Sequence, residues 1–216
     1  MATAFTATIL PATGFALACQ LDKGLAPEID YMALRREEDR AAAAILGVAD
    51  LRWLDLPEAP HRGYSSASEL FAEPRPGDDI WRVLAGCIAA LQTELSPDVI
   101  LAPQGLGGHV DHIQLIRAVQ AVAGSTPVAW YRDTPYAIRN PDAKPFIEGG
   151  PEITLPIAAT LERKLRASCA YESQIGFQFG GADAARRALE HFARREGRGV
   201  PAERFAGKLI QDGFQP

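Results

Sequence analysis

The sequence lacks three features that would each define a class of protein. It has no apolar stretch of the ~18 residues that a membrane-spanning helix needs. It has no excess of basic residues, and its net charge of -5 argues against a nucleic-acid-binding surface. Its three cysteines are far apart and odd in number, which excludes a disulfide framework and a zinc ribbon. We therefore expect reduced, buried thiols in a cytoplasmic protein.

The N-terminal region has little that supports a signal peptide. Ala16-Leu17-Ala18 is similar to a signal-peptidase site, but no basic segment precedes it. Pro11 and Gly14 also interrupt the apolar run. We predict that this region belongs to the folded protein.

Short apolar segments alternate with amphipathic ones along the 216 residues, a length that suits one domain with a large core. The patterns predict strands at 3–10, 51–56, 99–102, 127–131 and 153–155. They predict helices at 27–46, 80–95, after residue 112, at 156–171 and at 182–195, followed by a polar tail. This alternation predicts an α/β fold with a doubly wound, mostly parallel sheet and helices on both faces.

Three polar residues, His109, Asp111 and His112, follow the strand predicted at 99–102 and a glycine-rich turn. In open α/β sheets, ligands bind at the carboxyl ends of the strands. Two imidazoles and a carboxylate at that edge suggest metal-assisted hydrolysis. Solvated residues at a helix start, with Asp111 complementing the helix dipole, would produce the same pattern. A phosphate-binding turn at 105–108 is a further alternative, although the turn lacks the complete dinucleotide and P-loop motifs.

Two other regions are candidates for substrate contact. Arg35 lies in the helix predicted at 27–46, where it either belongs to a solvated face or reaches into a cleft as a bidentate donor. Residues 58–79 are rich in proline, glycine, serine and charge. Because long loops in compact domains are usually functional or disordered, a substrate-facing loop is plausible here.

Three segments together resemble the LmbE-like family of zinc-dependent N-deacetylases, which includes N-acetylglucosaminyl-phosphatidylinositol deacetylase (PIG-L). The first runs from Leu34-Arg35-Arg36-Glu37-Glu38-Asp39 to Leu56-Pro57. The second is His109-Val110-Asp111-His112, which matches the family's second zinc motif, and the third is Tyr171-Glu172-Ser173-Gln174. The resemblance extends over most of the chain, to about residue 205.

The resemblance implies a Rossmann-like sheet with zinc at its carboxyl edge and removal of an acetyl group from an N-acetylated amino sugar or a similar small N-acyl substrate. His112 would be a zinc ligand. His109, oriented by Asp111, would stabilise the oxyanion or protonate the leaving amine. Arg35 would contact the substrate. The oligomeric state stays open, with a homo-oligomer among the options.

The family's first motif, His-Pro-Asp-Asp, has no match here, although it supplies two zinc ligands and the general base in the family. The resemblance thus implies a single deacetylase domain over residues 1–216 that is N-terminally truncated, with an incomplete zinc site. His61 and Asp55 are the nearest replacements by loop position. The alternative function is a non-catalytic sugar- or glycolipid-binding relic of the same fold.

Overall fold

The structure is a computed structural model that describes residues 1–147 and 150–207. The chain divides into two compact units. The first consists of Met1–Glu69 and Ile157–Pro201, and the second of Leu70–Pro156 and the residues from Ala202 onward. The single deacetylase domain over residues 1–216 stays a prediction, and residues 208–216 of the polar tail lie outside the described residues.

Helices and strands alternate irregularly along the chain. The helices are α1 (Gly14–Leu21), α2 (Tyr31–Leu46), α3 (Ala67–Leu70), α4 (Ile80–Leu95), α5 (Val110–Val122), α6 (Tyr136–Arg139), α7 (Leu161–Cys169), α8 (Glu172–Phe179) and α9 (Ala182–Glu196), with a 3-10 turn at Ala59–Arg62. The strands are β1 (Ala2–Thr3), β2 (Arg52–Trp53), β3 (Ile100–Pro103), β4 (Val128–Tyr131), β5 (Glu152–Pro156) and β6 (Ala202–Gly207).

The first unit is mainly helical. Its strands β1 and β2 form a two-stranded parallel sheet, and α2 packs against α7 while α9 packs against α7 and α8. Helix α2 begins at Tyr31 because the Asp30 carboxylate accepts a hydrogen bond from the backbone N–H of Ala33 at 2.8 Å. It ends at Leu46 because Gly47 adopts a left-handed conformation, with φ of 77°.

The second unit contains a four-stranded sheet in the order β3-β4-β6-β5. Strands β3 and β4 are parallel, whereas β6 is antiparallel to both β4 and β5. The α/β class is confirmed, but the prediction that the sheet is mostly parallel is wrong. The error arises at β6, which follows α9 and pairs antiparallel with two strands. Strand β6 lies between β4 and β5 rather than at an edge, so it makes the whole sheet a mixed one.

The core of the second unit lies between α5 and the sheet. Ile116 and Val119 of α5 pack with Ala102 of β3, Trp130 of β4 and Ala206 of β6. These residues are 8% exposed or less. This apolar contact holds the start of α5 at the carboxyl end of β3, which fixes the position of the motif at residues 109–112.

The strand predicted at 3–10 is also wrong, because only Ala2 and Thr3 form a strand. Beyond them, the hydroxyl of Thr6 accepts a hydrogen bond from the backbone N–H of Asp55 at 3.1 Å, in place of a regular ladder bond. All three cysteines are free thiols, but each is only partly buried, so the prediction of buried thiols is wrong. Among the described residues, no helix is long and apolar enough to cross a membrane.

Candidate functional site

The parallel pair β3 and β4 brings two loops of the second unit together. Pro103 at the end of β3 is in register with Tyr131 at the end of β4, and the backbone N–H of Gln104 donates to the Tyr131 carbonyl at 2.8 Å. One loop leads to His109 and the other to Asp133. Side chains that follow parallel neighbours meet at one edge of a sheet, and they do so here.

His112 is held by a buried carboxylate that the sequence interpretation did not include. Its Nδ1 is hydrogen-bonded to Oδ1 of Asp133, whose side chain is completely buried. The other oxygen of Asp133 accepts the backbone N–H of Leu106 at 3.1 Å. Since an ionised carboxylate only accepts hydrogen bonds, the proton of the neutral ring lies on Nδ1. His112 then presents Nε2, with its lone pair, from a side chain that is 31% exposed.

His109 has the opposite arrangement of hydrogen-bond donor and acceptor on its ring. It is the N-cap of α5, and its Nδ1 accepts a hydrogen bond from the backbone N–H of Asp111 at 3.2 Å. In the neutral ring the proton is then on Nε2, which becomes a hydrogen-bond donor. This contact involves the main chain of Asp111, while its side chain is buried within the first turn of α5.

Two aromatic side chains surround the imidazoles. The Tyr136 ring lies 5.5 Å from the His112 ring and 6.2 Å from the His109 ring, measured between centroids. Phe71 lies 5.3 Å from His109 and nearly perpendicular to it, at 84°. Burial, with a smaller contribution from the negative charge of Asp133, raises the pKa of Tyr136 to about 12. The phenol is therefore neutral near pH 7.

The described residues do not supply a complete zinc site. His112 fits as a single ligand, because a histidine that binds a metal usually donates its other N–H to a carboxylate. Catalytic zinc sites typically use three protein ligands. In residues 1–147 and 150–207, no group of three or more His, Cys, Asp or Glu side chains is placed to hold a metal ion. The donor set that is described here therefore does not fit zinc by itself.

Two of the segments that resemble LmbE-like proteins are bonded to each other in the first unit. The Asp39 carboxylate accepts hydrogen bonds from the Tyr171 hydroxyl at 2.9 Å and from Trp53 Nε1 at 2.8 Å. The Glu38 carboxylate accepts the backbone N–H of Ser173 at 2.7 Å and its hydroxyl at 2.9 Å. These buried, satisfied carboxylates join α2 to the start of α8, which gives both segments a structural role.

Arg35 lies in the first unit, as do His61 and Asp55. The Arg35 guanidinium donates to Glu38 at 3.0 Å and lies 5.0 Å from the centroid of the Tyr171 ring. It thus takes part in the same cluster as the two carboxylates. The role of Arg35 in substrate binding stays a prediction. For His61, burial lowers the pKa of the imidazole.

Comparison with known proteins finds the same family that these segments resemble. The family described as PIG-L, GlcNAc-PI de-N-acetylase, matches residues 18–123. The 2'-N-acetylparomamine deacetylase of Streptomyces fradiae is 29% identical over 151 residues, which make up 65% of this chain and 53% of that protein. The chain thus spans about half the length of this curated relative. Over residues 18–123 the chain is similar to the PIG-L family. The predicted resemblance is confirmed.

Solved structures show that the chain has the fold of PIG-L, or LmbE-like, deacetylases. A deacetylase of the teicoplanin biosynthesis pathway superposes with a TM-score of 0.83 at 22% identity, covering 99% of this chain and 87% of that one. A zinc-inhibited form of teicoplanin deacetylase gives 0.79 at 23% identity, covering 99% and 88%. At these identities the likeness concerns the fold.

The PIG-L match includes residues 109–112, and it ends before Asp133. The sequence does contain a signal for Asp133. It follows the strand predicted at 127–131, and a strand parallel to the one at 99–102 would end at the same edge of the sheet.

Proposed function

We propose that this chain acts as an N-deacetylase that hydrolyses the acetamide of an N-acetylated amino sugar or a similar small N-acyl compound. The observation that carries the proposal is the pair of imidazoles with opposite polarity at the carboxyl end of β3. His109 offers an N–H at Nε2, and His112 offers a lone pair at Nε2. The family match and the deacetylase relative support the substrate class.

His109 has the polarity that amide hydrolysis requires. Water adds to the acetamide carbon, the carbonyl oxygen becomes an oxyanion, and the C–N bond then breaks to release acetate and an amine. The Nε2–H of His109 would donate to the oxyanion or give its proton to the departing nitrogen. Asp111 supports this function by donating its backbone N–H to Nδ1, which keeps the proton on the opposite nitrogen.

His112 is the proposed metal ligand, with Asp133 as its positioning residue. A zinc ion, when bound by a full set of ligands, would polarise the carbonyl and activate water. The described residues account for one ligand of that set. Arg35 is retained as a proposed substrate contact.

The test measures acetate release from N-acetylglucosamine by the whole chain, with added Zn²⁺ and with a chelator. We expect His109→Ala to reduce the rate about 100-fold or more, as is typical when a general acid or an oxyanion donor is removed. His191→Ala is the matched control, because His191 lies on an exposed position of α9 in the first unit. Equal rates for His109→Ala and the unaltered chain would contradict the proposal.

The alternative of a sugar-binding protein without catalysis predicts a different result. In that case N-acetylglucosamine would bind to the chain, and no acetate would be released in the presence of Zn²⁺. The same samples distinguish the two functions when binding is measured beside acetate release.

A further inference from the structure

Phe71 is a large apolar side chain that remains exposed although it contacts the candidate site. It is 46% exposed. Its ring lies 5.3 Å from the His109 ring and 5.6 Å from the Tyr136 ring. It directly follows α3, within the long segment at 58–79 that the sequence identifies as a candidate substrate-facing loop. Covering its exposed surface with an apolar group would be favourable.

The partners of Phe71 are fixed by the backbone beneath them. Gly107 has a φ of +85°, and a Cβ added there would come within 2.9 Å of Cβ and Cγ of Tyr136. The glycine therefore allows the tyrosine ring to pack directly on the turn between β3 and α5. His109 is fixed as the N-cap of α5. Phe71 thus adds an exposed ring to a supported cluster of three others, namely His109, His112 and Tyr136.

We propose that Phe71 is a substrate-binding residue that packs against the apolar C–H face of a pyranose ring carrying the N-acetyl group. This proposal rests on the proposed function and narrows its substrate class from N-acyl compounds to ring sugars. A glucopyranose places its hydroxyls around the rim and directs C–H groups to its faces. The negative face of an aromatic ring attracts such polarised C–H groups and gains apolar contact with them. An open-chain N-acetyl compound has no comparable rigid face.

Because Phe71 lies beside His109, a sugar ring bound to Phe71 would be oriented relative to the His109 imidazole. A sugar ring that covers Phe71 would hold its substituents close to His109, whose Nε2 donor the deacetylase mechanism uses. Binding energy from the unreactive ring would then orient the acetamide. Phe71 accordingly contributes to substrate affinity, and its substitution should change KM or Kd.

The test compares Phe71→Ala, Phe71→Trp and the unaltered chain by titration with N-acetylglucosamine, monitored by saturation-transfer NMR. Phe71→Ala should raise Kd about tenfold, which is the scale of one lost aromatic contact. Phe71→Trp should retain binding because it retains an aromatic face. The binding of N-acetylglycine, which has no sugar ring, should be the same in all three proteins. Phe177→Ala is the matched control, since Phe177 is 50% exposed in the first unit.

The outcomes separate this proposal from the proposed activity. If the chain binds N-acetylglucosamine in a Phe71-dependent manner but releases no acetate, the Phe71 contact stands and the deacetylase function fails. If acetate is released and Phe71→Ala leaves KM and Kd unchanged, the Phe71 contact is overturned and the function stands. A loss confined to kcat, or no binding of the sugar by the unaltered chain, also overturns the contact. Equal urea midpoints for the variants establish that the fold is intact.

Discussion

At the scale of single residues, the candidate site depends on where two protons are held. His109 and His112 are three positions apart on one chain, yet their hydrogen bonds give them different tautomers. A backbone N–H fixes the proton of His109 on Nε2, whereas Asp133 fixes that of His112 on Nδ1. In their neutral forms the two rings therefore place a donor and an acceptor at the same edge of the sheet.

We predict that Asp133→Asn changes the tautomer of His112. The Leu106 N–H needs an acceptor, so the amide oxygen should take that bond and the NH₂ group should face Nδ1. The ring proton then moves to Nε2, which removes the lone pair. The ¹⁵N chemical shifts of His112 measure this exchange, because protonated and unprotonated ring nitrogens resonate far apart.

Asp142→Asn is the control for that experiment, since Asp142 lies at an exposed position of the same unit. It should leave the His112 spectrum unchanged. A His112 spectrum that is the same in Asp133→Asn and in the unaltered chain would contradict the assigned hydrogen bond.

Part of this site could be predicted from the sequence. The spacing of His109 and His112 and their place after an apolar run are local features that the sequence displays. Asp133 is 21 positions from His112 and is recruited by the pairing of β3 with β4, which is a tertiary contact. The ring cluster with Phe71 arises in the same way, because its members come from three separate segments.

At the scale of elements, local signals identified the long helices but not the short ones, α1, α3, α6 and α8. The helix predicted at 80–95 has those bounds in the structure, because its amphipathic pattern and the Ser96-Pro97 stop are both local. The strand β6 was not predicted. Its residues, Ala202–Gly207, include two charged side chains, and only the antiparallel partners β4 and β5 make them a strand.

The start of α2 provides a prediction at this scale. Asp30→Ala should lower the free energy of unfolding by ~1 kcal/mol, the usual cost of losing an N-cap. The Asp30 carboxylate accepts the Ala33 N–H at 2.8 Å and the Thr8 hydroxyl at 2.9 Å, so two donors lose their acceptor. Urea denaturation monitored by circular dichroism measures the change.

The matched control is Asp79→Ala. Asp79 occupies the same position before α4, but its side chain makes no capping hydrogen bond. We expect a change of less than ~0.5 kcal/mol, as for most surface substitutions. Equal losses for the two variants would refute the capping explanation for the boundary at Tyr31.

At the scale of the whole molecule, partly buried tyrosines make the folded state sensitive to alkali. Partial burial is the largest cause of a raised pKa at Tyr31, Tyr136 and Tyr171. For Tyr171 the carboxylate of Asp39, which accepts the phenol proton, acts in the same direction. These phenols occur in both units, so the effect is a property of the chain rather than of one site.

We predict that the free energy of unfolding falls as the pH rises above 10. An unfolded tyrosine ionises near pH 10, whereas folded Tyr136 holds its proton to about 12. Between these values only the folded state keeps the proton, so unfolding releases it and the stability that the neutral phenol contributes is lost. Below pH 10 both states are protonated and this contribution is complete. The urea midpoint should therefore decline between pH 10 and 12, and Tyr136→Phe should make the decline shallower. A midpoint that is constant over this range, or an equal slope for Tyr136→Phe, would show that the phenol is as solvated in the folded chain as in the unfolded one.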